Sequence, residues 1–243
     1  MAYSRNYDIP YFLINQDRKL RTTALMQFLE DMAIRHSESC GVGLDYYQQN
    51  GRAWVLKKWD VEIVDYPLFN RQVTITTVPT SFRSFFGYRK FEATDEQGTL
   101  LARAGSLWVF VDTRKKRPTP VTDEVISAYG LSHQQNKPLQ IKPPEAPLSG
   151  TFSMDIQIRP GDIDTNHHVN NIRFVEWALD TLPPRITSGR LAKRVLVDYR
   201  MELTYGADVV CEADQTEAGD LTITRHRIKS GGETACIATF HWA

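Results

Sequence analysis

The 243-residue sequence predicts an α+β fold in which one unit of strand, helix and four strands occurs twice. Three features point that way. Two segments carry apolar residues at helical spacing, and each is followed by short runs rich in β-branched and aromatic residues. A proline-dense stretch separates the two sets, and short sequence echoes link them.

The elements follow in order. An opening strand is expected over Tyr7 to Ile14, and a polar run, Asn15-Gln-Asp-Arg-Lys19, leads to Thr22 and Thr23, which suit a helix N-cap. Leu25, Phe28, Leu29, Met32, Ala33 and His36 recur at steps of three and four, predicting a helix over Thr23 to Cys40 that Gly41 and Gly43 end. His36 on that face reads as a core or edge histidine and not a ligand, since no second ligand stands at a helical spacing from it. Strands are expected at 54–64, 72–78, 85–93 and 100–111, with turn residues such as Asp95-Glu-Gln-Gly98 between them. The stretch 113–150 holds Pro118, Pro120, Pro138, Pro143, Pro144 and Pro147 and reads as a linker, with one helical turn near Glu124 to Tyr129.

Beyond it the pattern restarts. Phe28-Leu-Glu30 matches Phe174-Val-Glu176 at an offset of 146, Val55-Leu56 matches Val195-Leu196 at 140, and Trp108 matches Trp242 at 134. The 140 register pairs Glu62 with Glu202. A lone helix on a curled sheet buries one face of each. Two such units side by side would share one continuous antiparallel sheet with two long central helices, a tandem (double) hot-dog fold. The expected units are 1–112 and 151–243, joined by 113–150.

Composition narrows the function. With 29 basic and 29 acidic side chains the net charge is zero, which gives no general attraction to nucleic acid. Cys40, Cys211 and Cys236 lack CxxC spacing, which argues against a zinc site or a disulfide framework. The first ten residues have no apolar h-region and no apolar run could span a membrane, so the cytoplasm is the expected location. No GxSxG elbow, P-loop or GxGxxG turn occurs.

The densest chemistry lies in Asp164-Thr-Asn-His-His-Val-Asn-Asn171, just before the second helix, expected over Val169 to Leu182 and stopped by Pro183-Pro184. Asp164, Asn166 and His168 alternate, so an extended segment would send all three to one side. At a helix N-terminus, unpaired N–H groups favour a developing oxyanion. The plainer reading makes Asn166 a helix cap and leaves the histidines in solvent. A metal is disfavoured, because adjacent His167 and His168 cannot easily face one ion.

These residues, with Gly87-Tyr-Arg-Lys-Phe-Glu-Ala-Thr-Asp-Glu-Gln-Gly98, Arg103-Ala-Gly-Ser-Leu-Trp-Val-Phe-Val-Asp-Thr-Arg114 and Val197-Asp-Tyr-Arg-Met-Glu202, resemble the acyl-[acyl-carrier-protein] thioesterase family over nearly the whole chain. The resemblance implies that the enzyme releases free fatty acid from acyl carrier protein, without a cofactor of its own, the substrate riding on the carrier's phosphopantetheine arm. It implies Asp164, Asn166, His168 and Glu202 as catalytic residues. Where plant relatives place a cysteine after that glutamate, this chain has Leu203, which excludes a cysteine nucleophile there.

On this reading Glu202, on a strand and screened by apolar neighbours such as Leu203, is a general base with a raised pKa. Asn166 and backbone N–H groups near Val169 would hold the thioester oxygen, His168 would orient the water, and Asp164 would fix the imidazole or the loop. The 146 offset sets Arg18, Leu20 and Thr22 opposite the trio, so only the second half should be catalytic, while Met26, Phe28, Leu29 and Met32 help line an acyl tunnel. Carrier-protein docking is expected at Arg114, Lys115, Lys116 and Arg117, then at Arg83 and Arg89; a homodimer is left open. Alternatives are an acyl-CoA thioesterase, a hot-dog dehydratase or hydratase, and a non-catalytic acyl-binding module.

Overall fold

The first strand is β1 (Tyr3–Asp8), not Tyr7 to Ile14, because Pro10 interrupts the ladder and Tyr11–Leu13 closes into a short 3-10 turn. Helix α1 (Thr22–Ser39) follows; Arg21 is its N-cap, so Thr22 and Thr23 lie inside the first turn and do not cap it. Its inner face buries Leu25, Met26, Leu29 and Met32 to 1 % exposure or less, each contributing about 1.5–3 kcal/mol relative to an exposed side chain. Gly41, at φ 72°, takes the left-handed conformation that ends the helix. The short α2 (Leu44–Gln49) comes next. Then come β2 (Arg52–Ile63), β3 (Gln72–Arg83), β4 (Phe86–Thr94), β5 (Leu100–Asp112) and the two-residue β6 (Arg117–Pro118). Gly87 is required by packing: a Cβ there would lie 2.9 Å from the Trp54 ring. Helix α3 (Asp123–Ala128), capped by Thr122, forms where one helical turn was expected.

The second half repeats the order with β7 (Phe152–Ile156), α4 (Asn171–Asp180), the one-turn α5 (Pro184–Thr187), β8 (Ala192–Tyr199), β9 (Val209–Ala218), β10 (Leu221–Ser230) and β11 (Glu233–Trp242). Helix α4 is shorter than expected. Val169 bridges Ile163, and the Asn170 side chain accepts from Ile172 N, so the helix starts two residues later than Val169.

The computed structural model describes residues 1–132 and 138–243 and divides into two compact units, Met1–Lys57 with Ile63–Ile141, and Lys58–Glu62 with Lys142–Ala243. In the first the strand order is β1-β3-β4-β5-β2, with β6 beside β5. In the second it runs from the Lys58–Glu62 stretch of β2 through β8, β11, β10 and β9 to β7. The pairs β1–β3, β3–β4 and β4–β5 of the first unit and β2–β8, β8–β11, β11–β10, β10–β9 and β9–β7 of the second are antiparallel, with one long helix packed against each sheet, which is the hot-dog arrangement in tandem. Of the expected linker, 133–137 lie outside the described residues. The described rest divides between the units, up to Ile141 in the first and from Lys142 in the second, where Glu145 N donates to Thr239 Oγ1 at 2.8 Å and Leu148 N to an Asp214 carboxylate oxygen at 2.6 Å. Among the described residues no helix is long and apolar enough to cross a membrane.

The repeat has a different register from the one expected. Ile14 bridges Leu20 as Ile163 bridges Val169, and α1 and α4 start at Thr22 and Asn171, all at an offset of 149. The matching Phe-x-Glu triplets at 146 are therefore a coincidence one near-turn away; a slip of three keeps almost the same helix face inward. After β2 and β8, Val64 N and Asp65 N both donate to Leu101 O, as Arg200 N and Met201 N do to Ala235 O, an offset of 136 where 140 was expected. The 134 offset of Trp108 and Trp242 agrees with that from Leu101 to Ala235.

Candidate active site

The loop before α4 is built around one carboxylate. Asp164 Oδ1 accepts from Asn166 N at 2.8 Å and His168 N at 3.4 Å, while Asn166 Nδ2 lies 3.4 Å from Asp164 Oδ2. Asp164 N in turn donates to His168 O at 2.8 Å. His167 sits at φ 63°, a left-handed position that reverses the chain. Asp164, Asn166 and His168 thus come together through a turn, not through strand alternation. Asn166 is exposed and does not cap the helix; Asn170 does.

Just upstream, Asp162 is buried and pairs with Arg173 Nε at 3.1 Å, and Arg173 Nη1 reaches Glu176 Oε2 at 2.6 Å. This pairing ties the loop to the first turn of α4. Neither it nor the Asn170 cap was anticipated, although a short polar side chain before an apolar helical run is the signature of a cap.

Glu202 lies in the loop after β8 rather than on the strand. Its neighbour Leu203 is buried and its carbonyl accepts Val169 N at 2.8 Å, which fixes this loop against the first one. His168 Nε2 is 3.3 Å from Glu202 Oε2. The Glu202 side chain is 56 % exposed, so it is not screened by apolar neighbours as expected. The backbone donors expected near Val169 are also committed: Val169 N to Leu203 O, Asn170 N to Asp162 O, and Ile172 N to the Asn170 side chain. Of the groups considered for an oxyanion, the Asn166 amide is the one facing solvent.

The first unit has the same loop with different side chains. Asn15 Oδ1 accepts from Asp17 N and Lys19 N at 3.0 Å each, Asn15 N donates to Lys19 O at 2.8 Å, and Arg18 takes φ 62°. Leu20 N donates to Pro67 O at 2.8 Å, as Val169 N does to Leu203 O. The counterparts of Asp164, Asn166, His168 and Glu202 are therefore Asn15, Asp17, Lys19 and Tyr66, not Arg18, Leu20, Thr22 and Glu62. Tyr66 is buried, and its hydroxyl lies 2.8 Å from Thr22 Oγ1.

Elsewhere, Arg114, Lys115, Lys116 and Arg117 form an exposed turn held by Asp112, and Arg83 is exposed. Arg89 is buried and cannot dock a partner. His36 is a core histidine as read: it stacks on Tyr3 and lies 2.8 Å from Arg89 Nη1.

The chain is thus a tandem hot-dog protein with an imidazole–carboxylate pair beside a polar loop in its second half. The models of the acyl-ACP thioesterase N-terminal and C-terminal domains match residues 1–129 and 146–243, and the chain belongs to that family. It is 26 % identical, over 100 % of its length and 68 % of the relative's, to the chloroplastic dodecanoyl-[acyl-carrier-protein] hydrolase of Cinnamomum camphora. A crystal structure of a protein from Lactobacillus plantarum, assigned as an oleoyl thioesterase, aligns with TM-score 0.93 at 26 % identity, covering 100 % of this chain and 96 % of that one. The 12:0-ACP thioesterase of Umbellularia californica, at 22 % identity and TM-score 0.84 over 100 % and 97 % of the two chains, shares the fold. The chain spans 60–68 % of the length of the first plant relatives it matches.

Proposed function

We propose that the protein hydrolyses fatty acyl thioesters on acyl carrier protein and releases free fatty acid, using Glu202, His168, Asn166 and Asp164. The observation that carries this reading is the 3.3 Å approach of His168 Nε2 to Glu202 Oε2 beside the Asn166 amide, in a chain of this family. A water in that corner loses its proton to Glu202 as its oxygen attacks the thioester carbonyl. The oxyanion is held by Asn166 Nδ2, an interaction worth roughly 3 kcal/mol in comparable sites. Collapse expels the phosphopantetheine thiolate, which takes the proton back through His168, and the acid leaves. Asp164 shapes the loop. No step calls for a metal or an organic cofactor, and three free thiols suit a cytoplasmic location.

The first unit, with Met26, Leu29 and Met32 on the inner face of α1, is assigned to binding the acyl chain. The test is acid release from carrier protein loaded with medium and long acyl chains, run beside the matching CoA esters. Higher kcat/KM on the carrier protein is expected. Equal values would make the enzyme an acyl-CoA thioesterase, and binding without release would make it an acyl-binding module.

A further inference from the structure

The first unit buries a cation with no acid beside it. Arg89 on β4 is 6 % exposed, and its Nη1 lies 2.8 Å from His36 Nδ1 and 3.3 Å from Thr77 Oγ1. The Tyr129 ring sits 5.4 Å from the guanidinium carbon, and no carboxylate among the described residues pairs with it. A guanidinium taken out of water without a counter-ion is costly, so its surroundings must supply acceptors and a π face. Because Arg89 donates, His36 Nδ1 accepts and the imidazole is neutral; burial first, then the charge of Arg89, push its pKa down to about 4.

This cluster lies at one end of α1. From Leu25 to Met32 the inner face of the helix is apolar, and at His36 and Ser37 it turns polar. The end is closed by Tyr129, the residue after α3. Its hydroxyl is 2.6 Å from Ser37 Oγ, and its ring meets His36 edge-on at 5.4 Å and leans on Phe82 at 5.5 Å. Val125 and Ile126 of α3 pack into the same aromatic cluster as Phe82 and Phe110. An apolar chain lying along α1 gains contact and desolvation with each methylene until it reaches this end. There it meets a charge it cannot solvate and a ring that fills the space.

We propose that Tyr129, carried by α3, is the stop that sets the longest acyl chain the first unit accepts, with Arg89 and His36 as the polar floor behind it. This rests on the reading of that unit as the acyl-binding half. Tyr129 belongs neither to α1 nor to the strands that support Arg89, so the stop can be altered without rebuilding either.

The experiment measures affinity for saturated free fatty acids of increasing length, alongside hydrolysis of the same series on carrier protein. Affinity should rise with length and then break. In Tyr129→Ala, and less so in Tyr129→Leu, the break should move to longer chains, with about tenfold tighter binding for the first two methylenes beyond the wild-type limit. Tyr129→Phe keeps the ring and should keep the break. An unmoved break in folded Tyr129→Ala and Tyr129→Leu, or equal weakening at every length, overturns the stop. If the wild type binds with a break that moves in the variants yet hydrolyses nothing, the stop stands and the hydrolase reading fails. Hydrolysis with an unmoved break gives the reverse.

Discussion

One loop conformation precedes both long helices, closed in the first unit by the amide oxygen of Asn15 and in the second by the carboxylate of Asp164. Both loops reverse through a left-handed residue, Arg18 or His167, and both hand a backbone N–H to the strand-end loop, at Pro67 O or Leu203 O. Their side chains diverge. In the first unit Lys19 pairs loosely with Asp65 at 3.6 Å, and Tyr66 turns its hydroxyl inward to Thr22. In the second, His168 meets Glu202 at the surface. The backbone therefore needs no catalytic chemistry to hold its shape. It is a scaffold, and what separates the two loops is the side chains mounted on it.

The largest effect should come from exchanging those side chains. Glu202→Gln preserves size and hydrogen bonding but removes basicity, so kcat should fall by roughly 10²–10⁴. His168→Ala and Asn166→Ala should each cost at least about 10²-fold, and the pair should cost less than the product, because in the proposed mechanism both serve one transition state. Lys19→Ala and Asp17→Ala, at the equivalent places of the first loop, should leave turnover intact. Near wild-type acid release by folded Glu202→Gln and His168→Ala would show that water is activated elsewhere.

The sequence reveals the scaffold better than the join between its parts. Leu25, Met26, Leu29 and Met32 repeat at helical spacing because one face of α1 is buried, and the alternation along β3 reflects its buried and half-exposed sides. The short α2 and α5 carry too few residues for any period to emerge. The repeat register slipped by three because nearly one helical turn returns the same face. The polar loop of the candidate site was legible as a cluster in Asp164 to Asn171, but its geometry depends on contacts made across long stretches of chain. Glu202 left its expected strand because Arg200 N and Met201 N share Ala235 O, which ends the ladder there. Its nearness to His168 follows from the bond between Val169 N and Leu203 O, for which no local spacing gives a sign.

A smaller effect separates what Asp164 does from what it is. Since Asn15 closes the same turn with a neutral oxygen, Asp164→Asn should fold the loop correctly and keep kcat within about tenfold, the expected size of a lost charge near a partly exposed site. Asp164→Ala removes the acceptor for two N–H groups and should cost about 10²-fold through misplacement of Asn166 and His168. Asn15→Ala should lower stability by about 1 kcal/mol in urea unfolding and leave kcat alone. If Asp164→Asn is as damaging as Asp164→Ala, the negative charge itself acts on the chemistry, and the likeness of the two loops has misled.

The smallest effect belongs to Tyr66, which stands where the other half has Glu202. Burial keeps its phenol protonated by pushing the pKa upward, and the hydroxyl is engaged with Thr22 Oγ1 at the start of α1. Tyr66→Phe should therefore cost about 0.5–1.5 kcal/mol of stability, the usual net value of one hydrogen bond, with unchanged kcat and KM. Glu202→Gln should do the opposite, since an exposed carboxylate that is more than half in water gives up little stability when it becomes an amide. Urea midpoints and turnover measured on both variants would thus move along different axes. A loss of turnover in Tyr66→Phe equal to that of Glu202→Gln would mean that the first loop also takes part in the reaction, and that the two halves have not divided structure from chemistry.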